Sequence, residues 1–273
     1  MDLLKLNEEE TAKRLESFLR KKIEKSGLTG YVIGLSGGID SALSASIAAS
    51  AVGADKVFGV LMPYSRSSQN SRDDALKLAI QLGIETRTVD ISPMIDAYYG
   101  NIGQGDDIDP VRLGNKMARE RMSILFDTAF ELNRLVLGTS NRTEFCLGYG
   151  TWYGDVASSV NPIGMLYKTQ VRQMSEYYKI PESIRTKTPT ADLWPGQTDE
   201  DELGLEYARV DQLLYHLIDN GVTDRAKLNE AGFEDTLIYR AVDLLNRSYF
   251  KRHLAEIADL GLKPIPDNIT ISR

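Results

Sequence analysis

Tyr31-Val32-Ile33-Gly34-Leu35-Ser36-Gly37-Gly38-Ile39-Asp40-Ser41 decides how the rest of the chain reads. The run Tyr31 to Leu35 is short and uniformly apolar, which predicts a strand buried on both faces, as in a parallel sheet. It ends in a glycine-rich turn. Ser41 to Val52, rich in Ala, Ser and Leu, predicts the helix that follows. In an open parallel sheet a ligand binds beyond the carboxyl ends of the strands, and Ser36 to Ser41 falls there. Gly37 and Gly38 remove two side chains, so backbone N–H groups can approach an anion closely. Ser36 and Ser41 add hydroxyl donors, and the helix dipole favours phosphate at the same spot. Asp40 is the odd member. A carboxylate beside a phosphate is repelled unless a cation lies between them, so Asp40 implies Mg²⁺. A Walker loop would need Gly-Lys-Ser/Thr, and no lysine stands here. A dinucleotide fingerprint would need its third glycine where Asp40 stands.

Outward from this loop, Leu15, Phe18, Leu19 and Ile23 recur at helical spacing and predict a first helix over about 8–25. Val57 to Met62 predicts a second strand closed by Pro63. Asp73 to Leu82 predicts a helix stopped by Gly83. Ile84 to Ile91 predicts a third strand, less apolar and so nearer the edge. Residues 101–109 read as a loop, and Pro110 opens a long helix to about Asn133. Leu135 to Leu137 predicts a fourth strand. Residues 146–165 read as an active loop, Tyr167 to Tyr178 as helix, and Lys187 to Asp199 as an ordered loop or flap. The chain from Asp201 reads as helical and charged, with an extended tail after Pro264. Strand and helix alternating in this order predict an α/β fold, a doubly wound parallel sheet with helices on both faces and a helical C-terminal part. One domain spanning 1–273 is expected.

Composition is ordinary for a soluble globular protein, at 42% hydrophobic and 26% charged. The net charge of -7 argues against a general electrostatic grip on nucleic acid. The one cysteine, Cys146, makes neither an internal disulfide nor a zinc cluster by itself and fits a reducing compartment. No stretch reaches the length of a membrane span, and the charged N-terminus lacks the order of a secretory signal. A cytoplasmic protein without membrane association is expected.

Ser36 to Ser41 resembles the signature loop of the N-type ATP pyrophosphatases, of the adenine nucleotide alpha hydrolase-like fold. Those enzymes split ATP into AMP, which is attached to the substrate, and pyrophosphate, which the loop holds. Further segments are similar to one branch, the NAD synthetases, across nearly the whole chain. They are Gly114-Asn115-Lys116-Met117-Ala118-Arg119-Glu120-Arg121-Met122, Gly138-Thr139-Ser140-Asn141-Arg142-Thr143-Glu144, Asn161-Pro162-Ile163-Gly164 with Tyr167-Lys168-Thr169-Gln170, Pro189-Thr190-Ala191-Asp192-Leu193, and Gly196-Gln197-Thr198-Asp199-Glu200. The resemblance implies ATP contacts at Gly34, Leu35, Ser36, Gly37, Gly38, Ile39, Asp40, Ser41, Thr139, Lys168 and Thr190. It implies Mg²⁺ held by Asp40 and Glu144, with Asp40 and Lys168 carrying the chemistry. It implies contacts to deamido-NAD at Arg119, Trp152, Ser159 and Lys251, and a homodimer. The implied reaction adenylates the nicotinate carboxylate, and ammonia then displaces AMP. No nucleophilic side chain is needed. Lys168 can neutralise phosphate charge as it grows. Taken alone, it reads equally well as a solvated helix lysine.

The resemblance departs in one loop. Ammonia-dependent members of the best-known bacterial type read Thr-Lys-Tyr-Gly-Asp-Gly-Gly-x-Asp, against Thr151-Trp152-Tyr153-Gly154-Asp155-Val156-Ala157-Ser158-Ser159 here. Trp152 stands for the substrate-contacting lysine and Ser159 for the aspartate, and a His-Lys pair becomes Phe250-Lys251. Trp152 reads either as a stacking partner for a substrate ring or as packing. The chain has no room for a nitrilase-type glutaminase, so free ammonia is the expected nitrogen donor, unless a separate glutaminase subunit delivers it. Two rival readings are another adenylating enzyme of the loop family, such as a tRNA thiolase or GMP synthetase, and a nucleotide-binding regulator without catalysis.

Overall fold

The computed structural model describes residues 3–65, 68–104, 108–188, 190 and 199–260. The first half alternates strand and helix: α1 (Glu8–Ser26), β1 (Tyr31–Gly34), α2 (Ile39–Val52), β2 (Val57–Leu61), α3 (Gln69–Leu82), β3 (Glu85–Thr88), α4 (Ser92–Asn101), α5 (Pro110–Glu131) and β4 (Leu135–Val136). Helices follow: α6 (Arg142–Leu147), α7 (Lys168–Tyr177), α8 (Glu182–Arg185), α9 (Asp199–Leu203), α10 (Tyr207–Leu214), α11 (Arg225–Glu230) and α12 (Asp235–Arg247).

The strands form one parallel sheet in the order β3-β2-β1-β4. β1 lies between β2, where Tyr31 pairs with Val57, and β4, where Val32 pairs with Val136. Successive side chains of a strand point to opposite faces, and β1 fills a core on each. Tyr31 and Ile33 join α1, α2, α3 and α7 on one face through Leu19, Leu43, Leu78 and Met174. Val32 joins α4 and α5 on the other through Ile95, Tyr99 and Met117. A third core belongs to the C-terminal helices. Tyr207, Leu213, Leu228, Phe233 and Ile238 pack there against Cys146 and Leu147 of α6. The doubly wound sheet with a helical C-terminal part is therefore the observed architecture.

Local chemistry sets most boundaries. Pro110 opens α5, where the Asp109 side chain caps the Arg112 N–H. Gly83 closes α3 at φ +70°. β3 lies at the sheet edge with mostly exposed side chains, as its composition predicts.

Other boundaries differ from expectation. α2 begins at Ile39, so Asp40 and Ser41 belong to its first turn. α3 begins at Gln69 behind Ser68, four residues before Asp73. α4 has no counterpart in the sequence reading, and α6 runs to Leu147 inside the stretch read as a loop. Residues 189 and 191–198, which carry most of the flap and two of the motifs, lie outside the described residues, as does the tail after 260. Among the described residues no helix is long and apolar enough to cross a membrane.

Candidate functional site

The loop after β1 is tied to itself and pressed from outside. The Ser41 hydroxyl donates to the Gly38 carbonyl at 3.0 Å and lies 3.0 Å from the Ser36 hydroxyl, which accepts the Gly38 N–H at 3.2 Å. Gly37 sits at φ +77°, and a Cβ there would lie 2.0 Å from the Ser71 carbonyl oxygen on α3. Only glycine meets both conditions. Gly38 precedes the first turn of α2 without a side-chain cap, so the open end of that helix faces the cavity.

That cavity, of about 700 Å³, lies beyond the carboxyl ends of the strands. Gly34, Leu35, Ser36, Gly38, Ile39, Asp40, Ser41, Thr139, Glu144, Lys168, Thr190 and Lys251 all line it. Gly37 lies beneath, against α3.

At its floor three charged groups meet. The Lys168 ammonium donates to Asp40 Oδ2 at 2.5 Å and to Glu144 Oε1 at 3.5 Å. Lys168 is the first residue of α7 and is only 2% exposed. Burial pulls its pKa down, but Asp40 and Glu144 outweigh burial and the value rises. Glu144 is pushed up to about 8, first by burial and then by Asp40, against the pull of Lys168 and the Asn141 N–H. Two carboxylates thus share one ammonium, an arrangement suited to a further cation. Among the described residues no group of three or more His, Cys, Asp or Glu side chains could hold a metal. A divalent ion here would take Asp40 and Glu144 and complete its shell with phosphate oxygens and water, as Mg²⁺ does.

Asn141 joins the two acids. Its amide nitrogen donates to Asp40 Oδ1 at 2.9 Å, and its oxygen accepts the Glu144 N–H at 3.0 Å. Glu144 Oε2 returns a bond to the Asn141 N–H at 3.1 Å, closing a capping box on α6. Asn141 stands in a quoted motif, yet sequence reasoning gave it no role. The Asn141-to-Glu144 capping spacing is visible locally, but the contact of Asn141 with Asp40, a hundred residues away, is not.

The cavity's other end is formed by the substituted loop. Lys251 donates to the carbonyls of Gly148 and Gly150 at 2.7 and 2.8 Å, and burial lowers its pKa. Asp155 lines the cavity, accepts the Thr151 N–H at 2.8 Å, and has its pKa raised by lost hydration. Arg119 and Trp152 adjoin this end, where the Arg119 Nε donates to the Trp152 carbonyl at 3.3 Å. Trp152 stacks on Tyr153 at 4.4 Å and meets Phe250 edge-on at 5.3 Å. The two aromatic replacements are therefore partners. Ser159 is placed elsewhere: its hydroxyl accepts the Val136 N–H at 3.3 Å and it does not line the cavity.

Known proteins resemble this chain over most of its length. The family model described as NAD synthase matches residues 11–255. A protein of Trichlorobacter lovleyi named NH(3)-dependent NAD(+) synthetase is 46% identical over 273 residues, 100% of this chain and 98% of its own. The solved structure titled NMN synthetase from Francisella tularensis superposes with a TM-score of 0.83 at 34% identity, covering 94% of this chain and 100% of its own. That of an NH3-dependent NAD synthetase from Campylobacter jejuni superposes with a TM-score of 0.78 at 33% identity, covering 93% and 100%. With its loop, its acid–lysine cluster and these matches, the chain belongs to the NAD synthase family.

Proposed function

We propose that this protein is a C–N bond-forming ligase that amidates deamido-NAD with ammonia to give NAD, the last step of NAD biosynthesis. ATP is the co-substrate, and AMP and pyrophosphate are released. The carrying observation is the Asp40–Lys168–Glu144 cluster at the open end of α2, in a chain nearly half identical to a protein named for this reaction.

A carboxylate resists attack by an amine until its oxygen becomes part of a good leaving group. The nicotinate oxygen attacks the α-phosphorus of ATP, the bond to the bridging oxygen breaks, and pyrophosphate departs into the loop at Ser36–Ser41. Ammonia then adds to the acyl carbon, loses a proton, and expels AMP. Asp40 and Glu144 would hold Mg²⁺, which neutralises phosphate charge when bound. Lys168 and Thr190 line the phosphate side, and Lys168 stabilises charge that grows in the transition state. Lys251 and Asp155 line the dinucleotide end, with Arg119 and Trp152 beside it. Ser159 would support the loop from β4. Catalysis rests on positioning and charge neutralisation.

A second reading concerns substrate size. The Francisella tularensis relative is titled for a mononucleotide product, and Trp152 and Phe250 replace a lysine and a histidine that the resemblance assigns to dinucleotide contacts. The test supplies ATP, Mg²⁺ and ammonium with either deamido-NAD or nicotinate mononucleotide and follows amide and pyrophosphate. A preference of more than about tenfold for the mononucleotide would replace the first reading by the second. Amide from neither would remove both. Ammonium, but not glutamine, is expected to serve as donor, because this chain spans nearly the full length of the relatives named NH(3)-dependent.

We also propose a homodimer. Phe126 and Phe130, one turn apart on α5, are 40% and 90% exposed, an apolar surface suited to a second copy.

A further inference from the structure

Behind Lys168, on the side away from the loop, lies a fully buried carboxylate. Asp211 of α10 and Thr143 of α6 are both 0% exposed. The Thr143 hydroxyl donates to Asp211 Oδ1 at 2.5 Å. The Thr143 hydroxyl oxygen in turn accepts the backbone N–H of Lys168 at 2.9 Å. Asp211 Oδ2 accepts the backbone N–H of Thr169 at 2.8 Å. Two orphan N–H groups at the start of α7 are thus satisfied, one directly and one through a hydroxyl, and the carboxylate sits where the helix dipole favours it. Thr143 is also the neighbour of Glu144 in the first turn of α6.

The direction of each bond is fixed. The Thr143 hydroxyl has one proton, and Asp211 takes it, so a lone pair is left for the Lys168 N–H. α10 also reaches Lys168 directly, one turn earlier: the Tyr207 ring lies 5.3 Å from the ammonium. The Tyr207 hydroxyl in turn donates to Asp199 at 3.3 Å.

We propose that Asp211, acting through Thr143, is a positioning residue for the reaction. It locks the helix that starts with Lys168 to the helix that carries Glu144, and so sets the spacing of ammonium and carboxylate around the phosphates. The inference rests on the roles given above to Lys168 and Glu144. The C-terminal helical part, remote from the ATP loop in sequence, would by this lock control the chemistry on the sheet. A displacement of about 1 Å in such a site costs on the order of a hundredfold in rate.

The test compares T143V, T143S and D211N with wild type in the full chain. Turnover, KM for ATP and for ammonium, and thermal midpoint are measured, together with ATP affinity by calorimetry with and without Mg²⁺. T143V is expected to lower kcat at least about tenfold, to leave KM for ammonium within about twofold, and to weaken the Mg²⁺-dependent gain in ATP affinity. T143S, which keeps the hydroxyl, is expected to restore both. D211N is expected to follow T143V, since its amide turns a donor toward a donor. Should D211N not fold, the threonine pair decides. Equal kcat and equal Mg²⁺ dependence in T143V and T143S would overturn the proposal, as would losses that only follow thermal midpoint. A wild type that amidates nothing would remove the functional reading instead, and the calorimetry would still decide the lock.

Discussion

Asp40 and Glu144 face each other across a single ammonium, and their chemistry is testable one residue at a time. D40N leaves Lys168 with one carboxylate and removes a ligand for the cation. Turnover is expected to fall about a hundredfold with an unchanged circular dichroism spectrum. Normal turnover would remove Asp40 from the site. Glu144 has a folded pKa of about 8 against 4.5 for the free group. The folded chain then holds more protons than the unfolded chain between those values, so its stability falls as pH rises through that window. The thermal midpoint of the metal-free protein should drop between about pH 6 and 8, and E144Q should flatten the slope. An unaltered slope in E144Q would assign it to other acids. Cys146 is buried, with its thiol pushed up to about 11 by burial. It is expected to resist a thiol reagent at about pH 8 until the chain is unfolded. Fast labelling of the native protein would contradict that environment.

At the scale of elements, the strand–loop–helix unit 31–52 was legible because its signals are local. An apolar run, two glycines and a helix former series are neighbours in sequence, and the loop's glycine requirement appears directly in Gly37. G37A should be poorly tolerated. Its φ of +77° costs an alanine about 1–3 kcal/mol, and the new Cβ meets the Ser71 carbonyl oxygen. A melting temperature within about a degree of wild type would show that α3 yields easily. α4 was not legible, for a visible reason. Ile95 and Tyr99 are buried, while Met94, Tyr98 and Ile102 form a second, exposed apolar stripe. Two stripes on one short helix blur the period that a sequence reading relies on. Likewise Asn141 to Asp40 and Asp211 to Thr143 join residues from different elements. No spacing rule could bring them together, because the packing of α2, α6, α7 and α10 does so.

For the molecule as a whole, three cores divide the labour: two clamp the sheet, and the third stands behind the N-terminal turn of α7. Residues read from separate stretches of sequence at one end of the cavity, Ser36, Gly38 to Ser41, Thr139, Glu144, Lys168 and Thr190, do line one space. The other end was less legible. Ser159 was assigned by position in a motif, but position in a loop does not fix direction, and its hydroxyl is bonded to β4. The exposed phenylalanines of α5 carry the last expectation. F130D is expected to shift a sedimenting dimer toward monomer, since Phe130 is 90% exposed in one copy. Equal sedimentation of F130D and wild type would place the interface elsewhere.

The contact between Trp152 and Phe250 constrains how such a chain can change over time. The common bacterial pattern has a lysine and a histidine at these two places. Moving to it one residue at a time passes through a chain with a charge against a phenyl ring or an imidazole against an indole, each fitted to neither partner. The two positions should therefore drift as a unit. In a double-mutant cycle, W152K and F250H together are expected to cost less in amide formation than the sum of the single changes. Such a paired step would let a branch exchange a charged pair for an aromatic one without passing through a mismatched pair.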